Sequence, residues 1–526
     1  MHPAPVANAE AIAALRQDFI SAGYTTDNVA ELLGPTATAA LHREQHIPAQ
    51  RALAQPLAEG NRLAGLISCF MLAQPISRPT AEKLFATLGL EAALALNIIT
   101  LNADDDVVAT VDISAYATDH PGDMWVASDQ TALQLGKPLP ADHILGVGKA
   151  SMTLAEITPR HRVNSALDIG TGCGIQALHL LSHADHVTIT DISTRALAFA
   201  VFNILLNAPV LEVDPNNLAE RVTVAAGNML APVTGQAFDL VVTNPPFVIA
   251  PSHNVTTHTY RETGRTGDQL VQELISTIDT VLVDGGEAVM LANWEMFGEN
   301  DAWHSRLETW PAETMDIWAI QRSSSDPAQY AEIWLQDSSE HLEPQAYRRA
   351  YANYLADFET RGVTQIGFGW VWLRKRGANH PRPLHRFEYL THPVHQPVAE
   401  AWAASINKYD AVYNSATTDD EWALADVHIV APDWVTYEQY QRFGAEHPEV
   451  LMARSGAGFG RHIQLDTATA AVLGAADGEL SAGQLVAAVA GLLGLDDKQT
   501  STLQQSITAL YVDGFVEEFE PAHATG

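Results

Sequence analysis

Residues 166–180 read Ala-Leu-Asp-Ile-Gly-Thr-Gly-Cys-Gly and then Ile-Gln-Ala-Leu-His-Leu. Three glycines in five positions cost too much conformational entropy to sit inside a strand or a helix. Gly170, Gly172 and Gly174 therefore mark a turn between an apolar run and an amphipathic one. A strand that feeds a helix through such a turn opens a βα unit. The alternation then continues with "HVTITDI", "STRALAFAVFNILLNA" with Ser193 as N-cap, "VTVAAG", "FDLVVTN", "DQLVQELISTIDTVL" and "GGEAVMLAN". Strands alternating with helices of this length predict an α/β fold: a doubly wound parallel sheet with both faces covered.

The flanking segments have other periods. Residues 1–100 read as a helical domain, with "AEAIAALRQDFISAG" ending in Gly23 and "SRPTAEKLFATLG" opening on Ser77 and Pro79. Residues 101–150 read as a β-rich connector and a glycine-containing turn. The sheet domain is expected over 151–380, with an insertion at 295–363. There "MDIWAIQ", "YAEIWLQ" and "TQIGFGWVWLR" look like strands, and "QAYRRAYANYLADFETRG" is a helix. A proline-containing linker and irregular segment is expected over 381–463. Residues 464–526 suggest three short helices and an aromatic strand, a winged-helix-like module or a packing unit. No run of eighteen apolar residues occurs, so no membrane partner is expected. The first ten residues lack a basic segment before an apolar one, so no signal peptide is expected. Two cysteines in 526 residues suit a reducing cytoplasm, and no Cys/His set has metal-site spacing.

A G-x-G-x-G turn lets a ligand lie against the backbone, but it lacks the G-x-G-x-x-G spacing of dinucleotide enzymes. Asp191 ends the next strand, where a carboxylate can accept hydrogen bonds from a ribose diol. Asp168 can orient the turn or meet an amino group. Further on stands Asn244-Pro245-Pro246-Phe247. Two prolines fix φ near about −65° and remove two donors, leaving a rigid turn with free carbonyls. Acceptors there can hold the hydrogens of a planar NH2 group and stabilise positive charge developing on its nitrogen. Phe247 can stack on a flat substrate.

In these residues the chain resembles a family. "ALDIGTGCG", "TITDIS" and "FDLVVTNPPF" look like the successive motifs of Rossmann-like S-adenosylmethionine-dependent methyltransferases. The resemblance implies S-adenosyl-L-methionine as cofactor, held by Asp168, Gly170, Thr171, Gly172, Gly174, Asp191 and Ile192. It also implies Asn228 and Met229 at the adenine, where the family usually has an acid, and Asn244 reaching the cofactor as well as the substrate. Asn244, Pro245 and Phe247 are the implied catalytic group, with Pro246, Phe247 and Trp294 on the substrate side. The motif marks enzymes that methylate planar nitrogens. The continuation "NPPFVIAPSHNVTTHTYRETGRTGDQLVQEL" is similar to release-factor glutamine methyltransferases, whereas Phe247 in place of tyrosine is similar to RNA base methyltransferases. A nicotinamide oxidoreductase is set aside by the glycine spacing. A non-catalytic binding protein is set aside by the presence of Asp168, Asp191 and Asn244 together.

The net charge of −34 repels polyanions at long range and argues against a sequence-independent nucleic-acid coat protein. One stretch runs the other way: "RKRGANHPRPLHR" supplies Arg374, Lys375, Arg376, Arg382 and Arg386. With Arg348 and Arg349 these are expected to form a basic surface beside Asn244. That surface makes RNA the favoured macromolecular substrate and a protein glutamine the alternative.

Overall fold

Helix signals in the first hundred residues become six α-helices: Ala9–Ala22, Thr26–Leu41, Ile47–Ala58, Arg62–Leu66, Arg78–Leu84 and Leu90–Ala95. Asn8 caps the first by accepting from the Ala11 N–H at 3.0 Å, and Gly23 closes it in a left-handed conformation. Gly34 and Pro35 kink the second. Two hairpins follow: β1 (Ile99–Leu101) with β2 (Val107–Ala109), and β3 (Asp112–Tyr116) with β4 (Met124–Ser128). Phe19 sits at the centre, 5.4 Å from the Tyr24 ring, 6.0 Å from Phe70 and 5.5 Å from Trp125 of β4. Trp125 Nε1 donates to the Tyr24 carbonyl at 2.7 Å. Buried aromatics of this size dominate a core's energetics, and here each polar edge also finds a partner.

The computed structural model describes residues 3–43, 45–118, 120–137, 139–251, 265–298, 302–337, 343–377, 382–414 and 422–519. The chain divides into two compact units: Met1–Ala155 with His161–Lys375, and Glu156–Arg160 with Arg376–Gly526. The helices and hairpins above therefore share a unit with the central sheet.

That sheet is built from β5 (Val163–Ile169), β6 (Ala184–Asp191), β7 (Val222–Ala226), β8 (Phe238–Thr243), β9 (Leu282–Phe297), β10 (Met315–Ser325) and β11 (Val363–Lys375). Within this unit the strands run β10-β11-β9-β8-β5-β6-β7. β7, β6, β5, β8 and β9 are parallel, while β11 and β10 add antiparallel strands at one side. The chain moves outward from β5 to β7, then returns to place β8 on the other side of β5. The sheet thus has a topological switch point between β5 and its two neighbours.

The helix Thr194–Leu206 ties the hairpin to the sheet. Asn203 accepts from the Ala127 N–H at 2.7 Å and donates to the Ala127 carbonyl at 2.8 Å. Asn207, just past that helix, treats Trp125 in the same way, at 2.9 and 2.7 Å. Two side-chain amides thus serve the free edge of β4 as a neighbouring strand would.

Two expectations need correction. "YAEIWLQ" is not a strand but part of the helix Pro327–Asp337. Tyr330, Ala331 and Leu335 are buried and Ile333 is exposed, a helical rather than an alternating pattern. The segment 381–463 is folded rather than irregular. It contains β12 (His385–Tyr389), the helix Val398–Tyr413, β13 (His428–Val430), β14 (Val435–Tyr440), β15 (Val450–Ser455) and the start of the element after it. That element is β16 (His462–Leu465), which joins β14 and β15 in a three-stranded meander.

The rest of the second unit has the helices Thr467–Gly474, Ala482–Leu493 and Asp497–Val512, with β17 (Asp477–Ser481) and β18 (Glu517–Glu518). β13 pairs with both β17 and β18. Ile429, Val472, Leu485, Ile507 and Phe515 form its core. Arg386 and Arg461 converge on Glu388 and Asp513, and this holds the Glu388 carboxyl down at about 2 against the opposing cost of burial. Among the described residues, no helix is long and apolar enough to cross a membrane.

Candidate active site

Four parallel strands end at one level. Ile169 of β5 pairs with Thr190 of β6 and with Thr243 of β8, and Asp191 pairs with Ala226 of β7. The residues that leave these strands are Gly170, Asp191 itself, Gly227 with Asn228, and Asn244. The motifs far apart in sequence therefore meet along one edge of the sheet, at its switch point, where open α/β sheets bind ligands.

The glycine turn is held from below and open above. The N–H groups of Gly170 and Thr171 both donate to the Thr190 carbonyl at 2.9 Å, and Asn203 Nδ2 donates to the Cys173 carbonyl at 2.8 Å. Gly170, Gly172 and Gly174 have φ of 69°, 56° and 90°, which L side chains rarely adopt. A Cβ on Gly170 or Gly172 would project into open space, whereas one on Gly174 would press on Ala200 at 3.1 Å. The first two positions keep a cradle clear, and the third lets two helices pack closely.

Two carboxylates frame this cradle. Asp191 accepts from the Gly172 N–H at 3.0 Å through Oδ2 and from the Ser193 N–H at 2.8 Å through Oδ1. It therefore fixes both the turn and the start of the next helix, while each oxygen keeps a lone pair for a hydroxyl. Burial raises its pKa from the ordinary aspartate value, and the backbone donors oppose that rise. Asp168 lies deeper, 1% exposed, and accepts from Thr171 Oγ1 at 2.6 Å. Burial pushes its carboxyl up to about 7. Beside them Ile192 is 59% exposed, an apolar side chain presented outward at the mouth. Asn228 is exposed next to Asp191, whose carbonyl accepts from the Gly227 N–H at 3.0 Å, and Met229 follows with φ of 48°.

On the other side of the switch point, Asn244 is partly buried and its Oδ1 is fully buried with no hydrogen-bond partner. Such a group costs roughly 1–3 kcal/mol when left unmade. Pro245 and Phe247 are buried and Pro246 is half-buried. The Phe247 ring lies 5.7 Å from Phe368 of β11 and 6.3 Å from Trp334 of the helix Pro327–Asp337. Ile249 then donates its N–H to Tyr330 Oη at 3.0 Å, and Tyr330 Oη also accepts from Asn293 Nδ2 at 2.7 Å. The expected likeness beyond this point, residues 252–264, lies outside the described residues.

Three sequence-based assignments move. Trp294 is fully buried and lies on the opposite face of the sheet from Phe247. It follows Asn293, whose partner Phe368 faces Phe247, and side chains alternate along a strand. Its ring crosses Gly367 and Gly369 of β11, where any Cβ would overlap it, and its Nε1 donates to Gln321 Oε1 at 2.9 Å. Arg374 is buried and paired with Asp316 at 2.7 Å. Lys375 Nζ donates to the carbonyls of Asp279 and Leu282 at 3.0 Å. Leu282 pairs with Phe238, the first residue of β8, so the Lys375 ammonium lies about 17 Å from the far end of that strand, where Asn244 sits, while Arg374 pairs with Glu287, level with Leu240. Arg376 belongs to the second unit, as do Arg382 and Arg386, and Arg386 is paired there. The expected basic surface beside Asn244 is not built from Arg374 and Lys375, because both serve the opposite edge of the sheet. Arg348 and Arg349 are exposed on the helix Pro344–Arg361.

Sequence reasoning missed Asn203, Asn293, Tyr330, Trp334 and Phe368. The two asparagines stand in apolar runs, where an isolated amide signals buried pairing. The three aromatics carry no spacing that links them to Asn244.

Residues 145–302 match the methyltransferase small domain, and residues 21–110 match a domain of unknown function, DUF7059. The chain is 36% identical over 110 residues to the ribosomal protein uL3 glutamine methyltransferase of Bradyrhizobium diazoefficiens, covering 20% of this chain and 31% of that one. It is 30% identical over 138 residues to the protein of the same name from Francisella tularensis, covering 24% and 41%. It is 32% identical over 149 residues to the ribosomal RNA small subunit methyltransferase C of Enterobacter sp. (strain 638), covering 28% and 36%. The chain thus spans about a third of the length of the curated relatives it matches. Matched sequence, the open glycine cradle and the Asn-Pro-Pro-Phe turn fall in one segment, the residues 145–302 that match the methyltransferase small domain.

Proposed function

We propose that the protein is an S-adenosylmethionine-dependent N-methyltransferase that acts on a planar amino group, and that its substrate is a glutamine side-chain amide of a protein rather than an RNA base. The observation that carries the reaction is the buried, unpartnered Asn244 Oδ1 at the end of β8, one strand from the glycine turn. The residues present fit the cofactor. The clear space over Gly170 and Gly172 accommodates a chain lying on backbone, the free lone pairs of Asp191 suit ribose hydroxyls, and Ile192 offers apolar surface to a flat ring. When bound, S-adenosylmethionine supplies an electrophilic methyl group on a sulfonium centre.

The chain's own residues prepare the nitrogen. Asn244 Oδ1 accepts one hydrogen of the substrate NH2, which turns its plane and favours the pyramidal, nucleophilic form. The same dipole stabilises positive charge growing on that nitrogen during transfer. The Phe247 ring, backed by Phe368 and Trp334, supplies a flat apolar wall for a conjugated group. The methylated nitrogen then loses one of its two protons to solvent, while Asn244 Oδ1 holds the other. Asp168 helps fix the turn through Thr171 and stands too deep to meet the substrate directly.

The choice of a protein amide rests on charge. Arg374 is paired and Lys375 is bound to backbone at the far edge of the sheet, and the chain carries −34 overall. Phosphate contacts have little to work with. Asn244→Ala should leave S-adenosylmethionine binding intact by calorimetry and lower methyl transfer on the order of 100-fold. Transfer of a labelled methyl group to protein and RNA fractions from cells lacking this protein tests the substrate. Label on a glutamine amide supports the proposal, and label confined to RNA refutes it.

A further inference from the structure

Asn244 is not alone in holding an unanswered acceptor. Asn293 is 1% exposed, and its Oδ1 has no hydrogen-bond partner while its Nδ2 is held by Tyr330 at 2.7 Å. The two asparagines occupy neighbouring parallel strands. Thr243, just before Asn244, pairs with Met290, three residues before Asn293. β8 stops there, but β9 continues for seven more residues, to Phe297. Beyond Met290 the segment that follows Asn244 is linked to β9 through Tyr330, whose Oη meets both the Ile249 N–H and Asn293 Nδ2. Asn293 pairs in register with Phe368, whose ring lies 5.7 Å from Phe247. The carboxamide is therefore on the Phe247 side of the sheet.

Buried polar groups are mostly paired, and two unpaired carboxamide oxygens beside one turn are open to a single ligand. Each leaves a desolvation cost unrelieved in the free protein. A ligand that brings donors would relieve both. We propose that Asn293 Oδ1 is a second substrate acceptor, so that Asn244 takes the reacting NH2 and Asn293 takes a further N–H of the same substrate. This rests on the functional reading above and sharpens it. The substrate must carry at least two N–H donors, as a glutamine residue does with its side-chain amide and its main-chain N–H. Tyr330 is the positioning residue. Its Oη accepts from both Ile249 N and Asn293 Nδ2, which fixes the stretch after Phe247 and the Asn293 carboxamide with respect to one another.

The test compares Asn293→Leu, which keeps the branched shape of the side chain but removes both polar ends, with Tyr330→Phe, which removes only the shared acceptor. Three readouts are taken on the full chain: melting temperature, S-adenosylmethionine affinity, and the rate of labelled methyl transfer to protein extract over a range of extract concentrations. For Asn293→Leu we expect a melting temperature close to that of the wild type, because loss of the Nδ2–Tyr330 hydrogen bond is offset by removal of an unsatisfied buried acceptor. Cofactor affinity should stay within about twofold. The methylation rate should fall about tenfold at low extract and recover at high extract, the effect of one lost hydrogen bond on apparent KM. Tyr330→Phe should instead lower the melting temperature. The proposal is overturned if Asn293→Leu methylates as the wild type does. It is equally overturned if Asn293→Leu loses melting temperature as Tyr330→Phe does, for Asn293 is then a strut. A wild type that binds cofactor but methylates nothing would sink the functional reading separately, and the melting comparison would still decide the role of Asn293.

Discussion

At the scale of single residues, Asp168 has the most unusual chemistry of the site. Its pKa of about 7 in the folded chain stands against 3.8 for an unperturbed aspartate, and burial is the main cause. Between those two values the folded chain keeps a proton that the unfolded chain has released. This group's contribution to stability is therefore greatest at low pH and falls as pH rises through the window from about 4 to about 7. Asp168→Asn keeps an acceptor for Thr171 and cannot ionise. Its melting temperature should match the wild type near pH 4, exceed it increasingly up to about pH 7 and level off above that, measured without cofactor. A difference that shrinks with rising pH would contradict the burial-driven shift. Glu388, held down at about 2 by two arginines, has the opposite sign. It contributes stability above the unfolded value near 4.5 and loses it as pH falls toward 2. Asp168, Asp191 and the three glycines were legible because the backbone of a turn and the chemistry of a carboxylate are written locally. The unpaired oxygens of Asn244 and Asn293 were not, since lacking a partner is a property of the fold.

At the scale of elements, the helix Thr194–Leu206 links the hairpin to the cofactor cradle. Asn203 makes three buried hydrogen bonds, two to Ala127 of β4 and one to the Cys173 carbonyl inside the glycine turn. Asn203→Leu would leave all three backbone groups unpaired, a cost on the order of 3 kcal/mol or more. The urea midpoint should fall accordingly, and amide exchange at Ala127 should quicken. Cofactor affinity should fall with it, because the turn loses its support at Cys173. A variant that unfolds earlier but binds cofactor normally would show the hairpin and cradle to be uncoupled. The alternating βα signals made this helix and its strands readable from 163 to 290. The helix Pro327–Asp337 was misread because a short, mostly apolar stretch such as residues 330–336 fits strand and helix alike. What decides is which residues the rest of the fold buries: Trp334 turns toward Phe247, Tyr330 toward Ile249 and Asn293, and Ile333 to solvent.

At the scale of the whole molecule, charge decides what can approach. The chain carries 63 acidic against 29 basic side chains, and several of its cations are committed internally: Arg374 to Asp316, Arg386 and Arg461 to Glu388 and Asp513, Arg361 to Glu295 and Asp357. Composition showed the acidity, but the run from Arg374 to Arg386 looked like an exception to it. Sequence proximity suggested one basic surface. The antiparallel course of β11 instead carries Arg374 and Lys375 to the edge opposite Asn244. An RNA substrate held by five to seven phosphate contacts would give a binding slope of roughly −3.5 to −5 in log affinity against log salt, with about 0.7 per contact for single strands. Between 50 and 200 mM salt that amounts to about a hundredfold loss or more. A protein amide held by Asn244, Asn293 and an aromatic wall has no such term, and its methylation rate at limiting substrate should change by less than about threefold over that range. Added polyuridylate should not compete. A steep salt dependence with competition by polyuridylate would return the substrate to RNA and place its phosphate contacts on cations other than Arg374 and Lys375.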